Sequence, residues 1–124
     1  MSKKILVIED NDRNRSILRD ILLFNKYEVS EAAGGHDGIE LARKEKPDLI
    51  LLDIQMPGMD GYAVGRVLKS DPATRTIPVV AVTSYAMEGD KARILATGID
   101  GYVSKPYDPA EMIAMVKSKL GETA

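Results

Sequence analysis

The sequence predicts an α/β fold: a five-stranded parallel sheet of strand order 2-1-3-4-5 with helices on both faces. Three observations carry that expectation. Short apolar runs at Ile5-Leu6-Val7-Ile8, Leu49-Ile50-Leu51-Leu52 and Val79-Val80-Ala81-Val82, with the shorter Gly101-Tyr102-Val103, are near-continuous rather than alternating, the pattern of strands buried on both sides. The sequence between consecutive runs suits a crossover helix. A chemically capable group directly follows each run: Glu9-Asp10, Asp53, Thr83 and Lys105-Pro106. Parallel strands end on the same side, so these four positions meet at one edge.

The elements follow in chain order. After the first strand, residues 13–26 place Ile17, Leu18, Ile21, Leu22 and Phe24 on one broad helical face at about 100° per residue, with Leu23 on the opposite side. Glu28–Ala32 reads as a short strand, Gly34-Gly35 breaks it, and residues 37–46 form a second helix ending before Pro47. The Leu49 strand follows at once. Pro57-Gly58 and Asp60-Gly61 mark a loop, and residues 62–69 make a helix closed by Ser70-Asp71-Pro72. After the Val79 strand, residues 87–97 form a helix capped by Gly98, residues 100–104 the fifth strand, and Asp108-Pro109 opens a last helix through Leu120. Residues 121–124 read as a frayed tail. Right-handed crossovers favour the flavodoxin-like order, in which the ends of strands one and three flank the switch point. Those ends carry Glu9-Asp10 and Asp53.

A chain of 124 residues is long enough for one domain, 1–124 with a core of about 3–120, that needs no staple. With 44% hydrophobic and 29% charged residues it falls among soluble globular proteins rather than disordered or membrane chains. The absence of cysteine excludes disulfides, thiol catalysis and cysteine metal sites. Apolar runs this short do not make a signal peptide, so a cytoplasmic location is expected. A net charge of -2 argues against direct nucleic-acid binding.

Taken singly, the edge residues have ordinary readings. Asp53 suits a cap or a solvated surface position, Thr83 a β-former, Lys105 a surface cation, and Asp10 or Asn11 a helix cap. Brought together they suggest more. Two adjacent acids after a buried strand repel one another and call for a cation, for which Mg2+ is the natural choice. Asp53 can then serve as a nucleophile toward phosphorus, Thr83 as a hydroxyl donor, and Lys105 as the positive partner of the product. A cis peptide at Lys105-Pro106 suits such a turn.

These residues resemble the response-regulator receiver family, from about residue 3 to residue 120. The resemblance rests on Glu9-Asp10, on Asp53 followed by Gln55-Met56-Pro57-Gly58-Met59-Asp60-Gly61, on Thr83-Ser84, and on Tyr102-Val103-Ser104-Lys105-Pro106. It implies that Asp53 accepts phosphate from a sensor histidine kinase or phosphotransfer protein. It implies a magnesium site made by Asp10, Asp53 and the Gln55 carbonyl, with Glu9 acting indirectly. Thr83 and Tyr102 match the family's switch pair, Ser84 borders the phosphate, and Gln55 and Tyr85 match positions that tune hydrolysis. The face of helix 4, strand 5 and helix 5 would then present the signal to a protein partner. Asn14, Ile17, Leu23 and Tyr107 match the region that docks the phosphodonor. Among receivers, the chain is most similar to short single-domain members of the DivK kind, with output through protein contact, as a monomer or a phosphorylation-dependent dimer.

The remaining conspicuous residues read as structural. His36, the only histidine, has no partner of its kind and is expected at the surface; Met56, Met59, Met87, Met112 and Met115 are expected to fill gaps or line grooves. An aspartate-nucleophile phosphatase of the haloacid dehalogenase type wants a second acid two residues after the nucleophile, where this chain has Gln55. A mononucleotide binder is disfavoured because Glu9-Asp10 would repel the phosphate. A receiver that works unphosphorylated, as an interaction domain, is the alternative left open.

Overall fold

The computed structural model describes residues 2–84 and 88–122. Ten elements alternate along them: β1 (Lys4–Ile8), α1 (Asp12–Phe24), β2 (Glu28–Ala32), α2 (Gly35–Glu45), β3 (Leu49–Asp53), α3 (Gly61–Ser70), β4 (Val79–Thr83), α4 (Glu88–Ala96), β5 (Gly101–Ser104) and α5 (Pro109–Leu120). All strand pairs are parallel, in the order β2-β1-β3-β4-β5. The expected topology is therefore the observed one. β3 and β4 each run one residue past their apolar stretch, so Asp53 and Thr83 are the last residues of their strands.

Alternation along the strands divides the interior into two cores, because successive side chains point to opposite faces of a sheet. Leu6, Ile8, Ile50, Leu52, Val79 and Ala81 pack with α2, α3 and α4 through Ile39, Val64, Leu68 and Ile94. Ile5, Val7, Leu49, Leu51, Val80 and Val82 pack with α1 and α5 through Leu18, Leu22, Met112 and Val116.

Among the described residues, three helices start on side-chain caps. Asn11 accepts from the Asn14 N–H, Asp60 from that of Ala63 and Asp108 from that of Glu111, at 2.8–2.9 Å. Each satisfies an amide that the first turn leaves open. Past α4, Gly98 takes φ +93° and donates its N–H to Leu95 O, a left-handed turn that glycine adopts without strain.

Three expectations need correction. Phe24 is 84% exposed, while Leu18 and Leu22 on the same face are buried. The arc from Phe24 to Leu22 is about 160° wide, broader than the stripe a sheet covers, so its outer edge stays in solvent. The second helix begins at Gly35 rather than residue 37, because Gly34 serves as its N-cap. Gly121 and Glu122 are tied down rather than frayed. Gly121 caps α5, the Glu122 N–H donates to Lys117 O at 2.8 Å, and the Tyr27 hydroxyl donates to Glu122 Oε1 at 2.7 Å. At that edge of the sheet, a cavity is lined by Ser2, Lys3, Lys26, Tyr27, Gly121 and Glu122. His36 is exposed, and Met56 and Met112 are buried, as expected; Met87 lies outside the described residues.

Candidate functional site

The strand ends bring the acids together. Carboxylate oxygens of Glu9, Asp10 and Asp53 all lie within 4.8 Å of one another. Glu9 and Asp53 are each only 4% exposed, whereas Asp10 opens toward solvent. Lys105 arrives from the end of β5, where its N–H donates to Thr83 O at 2.7 Å and its bond to Pro106 is cis. Its Nζ lies 3.3 Å from Glu9 Oε1 and 3.6 Å from Asp53 Oδ1.

One ammonium among three carboxylates leaves the cluster short of positive charge. Burial, with Asp53 alongside, pushes the Glu9 carboxyl up to about 7, against the opposing pull of the Asn11 N–H and Lys105. A hard divalent cation would relieve that repulsion, and every donor here is a hard oxygen, the set that suits magnesium. The residues present therefore fit the ion.

Gln55 ties two loops together. Its N–H donates to Asp53 Oδ1 at 3.0 Å, and its side-chain Oε1 accepts the Ser84 N–H at 2.7 Å. Ser84 is thereby held beside the β3 end through its main chain. Thr83 is fully buried. Ala81 pairs with Tyr102, and Thr83 lies two residues beyond Ala81, so Thr83 and Tyr102 share the sheet face that α4 covers. Tyr102 is half-buried against that core, with Lys91 Nζ 5.6 Å from its ring centroid. Tyr85 lies outside the described residues.

Asn14, Ile17 and Tyr107 line one groove with Glu9, Lys105 and Pro106, directly beside the acids. Leu23 does not join them: it is half-exposed elsewhere on α1 and lines none of that groove. Sequence reasoning missed Arg15, whose Nη1 donates to the Glu9 carbonyl at 2.9 Å. The partner is a main-chain atom, so the sequence carries no complementary side chain to signal it.

The family model for the response regulator receiver domain matches residues 5–117. The chain belongs to this receiver family. The receiver is 42% identical over 122 residues to the polar-differentiation response regulator DivK of Brucella anthropi, covering 98% of this chain and 99% of that protein. Its fold superposes on the receiver domain of a Pseudomonas aeruginosa sensor histidine kinase that holds a magnesium ion coordinated in its active site cleft. The TM-score is 0.91 and the identity 30%, over 98% of this chain and 100% of that one. A putative response regulator from Chloroflexus aurantiacus gives a TM-score of 0.93 at 29% identity, over 98% of this chain and 100% of that one. Among the described residues, no helix of the receiver is long and apolar enough to cross a membrane.

Proposed function

We propose that this receiver is a phosphoacceptor signalling domain, in which Asp53 is phosphorylated by a sensor histidine kinase or a histidine phosphotransfer protein. The observation that carries the reading is the burial of Asp53 at a strand end, with Glu9 and Asp10 beside it and Lys105 Nζ 3.6 Å away. One sheet and its two cores run from residue 4 to residue 120, which supports a single receiver domain.

Magnesium would be held by Asp10, Asp53 and the Gln55 carbonyl, with Glu9 acting indirectly; bound, it neutralises the carboxylates and the phosphoryl oxygens. The magnesium of the Pseudomonas receiver supports this assignment. An Asp53 oxygen attacks the donor's phosphohistidine in line. The new O–P bond forms as the P–N bond breaks, and that bond's electron pair stays on the imidazole nitrogen. Lys105 pairs with the transferred phosphoryl group, and Thr83 supplies a hydroxyl donor. The groove of Asn14, Ile17 and Tyr107 receives the donor. Thr83 and Tyr102, on one sheet face under α4, carry the change to the surface of α4, β5 and α5 for a protein reader. A new dianion offers an interaction available to only one of two states, which is what a switch requires.

Intact-protein mass spectrometry after incubation with acetyl phosphate tests the reading. A single magnesium-dependent phosphoryl adduct, absent from Asp53→Asn, is expected. No adduct from acetyl phosphate or from a panel of phosphodonor proteins would overturn it in favour of an unphosphorylated interaction domain.

A further inference from the structure

Both main-chain groups of Glu9 are held by its neighbours β2 and α1. Its N–H donates to Ala32 O at 3.0 Å, at the end of β2. Its carbonyl accepts from Arg15 Nη1 at 2.9 Å. The rest of the Arg15 guanidinium is committed as well: Nη2 lies 2.6 Å from Asp12 Oδ1 and Nε 3.3 Å from Glu31 Oε1. Glu31, next to Ala32, is steadied by Arg19 Nη1 at 3.6 Å. The Arg15 side chain is only 18% exposed. One planar fork thus fastens the β1 end, the first turn of α1 and the β2 end, a set of directions that a lysine ammonium on its flexible stem does not reproduce.

We infer that Arg15 is a positioning residue for the metal and phosphoacceptor site: it clamps the Glu9 carbonyl and so fixes the turn from which Glu9 and Asp10 present their carboxylates. The inference rests on the reading of that site given above. Groups behind a ligand that set its orientation typically change metal affinity about 10- to 100-fold when removed. Arg15 is also a cation near a cation site, and its two effects have opposite signs. As a charge alone it would repel magnesium, so its removal would tighten binding. As a clamp it would hold the ligands in place, so its removal would weaken binding.

Calorimetric titration of the full chain with magnesium chloride separates the two. Arg15→Met removes fork and charge, Arg15→Lys keeps the charge without the fork, and Arg19→Met removes a contact to Glu31 that does not reach Glu9. Both Arg15 variants are expected to bind magnesium about tenfold more weakly, with Arg19→Met close to the parent. Binding by Arg15→Met as tight as the parent or tighter would overturn the clamp, as would an equal loss in Arg19→Met. Amide hydrogen exchange at Asp10 and Asn11, measured without magnesium, gives a second readout. Faster exchange in both Arg15 variants, and not in Arg19→Met, is expected. Unchanged exchange overturns the clamp whether or not magnesium binds. A parent that binds no magnesium while its Arg15 variants exchange faster would overturn the metal reading and leave the clamp standing.

Discussion

Asp10 differs from its neighbours in the cluster because it alone opens to solvent, while Glu9 and Asp53 are buried. Asp10→Asn keeps the shape and removes one negative charge, so the fold should persist and magnesium affinity should fall; calorimetric titration that finds the affinity unchanged would remove Asp10 from the ligand set. Thr83→Ala deletes a hydroxyl at a fully buried position. Its phosphoryl adduct should still form in the mass spectrum, while binding of a phosphorylation-dependent reader should weaken; wild-type binding would dissociate Thr83 from the switch. At this scale the sequence was informative wherever a group lies at a strand end, since parallel pairing alone brings such ends together. It was silent on Arg15 and on the contact of Gln55 with Ser84, both of which end on main-chain atoms. It also grouped Leu23 with Asn14, Ile17 and Tyr107, although Leu23 lies away from their groove.

Among the elements, α3 has the narrowest tolerance where it begins. A Cβ on Gly61 would collide with Ile54 Cα and lie 2.6 Å from Asp53 O, and backbone atoms have no rotamer with which to yield. Gly61→Ala should cost about 1–3 kcal/mol in urea unfolding and displace the loop after Asp53, so phosphorylation should slow as well; a stability equal to wild type would contradict the packing. Asp108→Ala, far milder, removes the α5 cap and should cost about 1 kcal/mol in the same assay. The central strands β1, β3 and β4 were legible to within a residue because burial on both faces writes a near-continuous apolar run. Helix faces were less so. Angular position says which residues of α1 stand together but not how far the sheet extends beneath them, and Phe24 lies beyond its margin.

For the molecule as a whole, the Tyr27–Glu122 hydrogen bond joins residues 95 positions apart. Burial, then Glu122, pushes the Tyr27 phenol up to about 12 from its usual 10. An acid whose folded pKa is raised contributes stability that is complete below the unfolded value and lost as pH rises through the folded one. The stability advantage of the parent over Tyr27→Phe should therefore hold up to about pH 10 and shrink between 10 and 12; a difference that stays constant across that window in urea titrations would refute the assignment. A contact between such distant residues leaves no periodic trace in sequence, which is why Gly121 and Glu122 read as loose.

Ser2 and Glu122 border the same cavity, at the end of the sheet opposite the acids. Strands that all run one way put their beginnings at one pole and their chemistry at the other, and α5, running back, delivers the other end of the described chain to the starting pole. Cargo joined at either side of that cavity therefore hangs from the protein's blind pole. A tether, label or surface linkage attached there leaves the acidic cluster at the opposite pole unshaded.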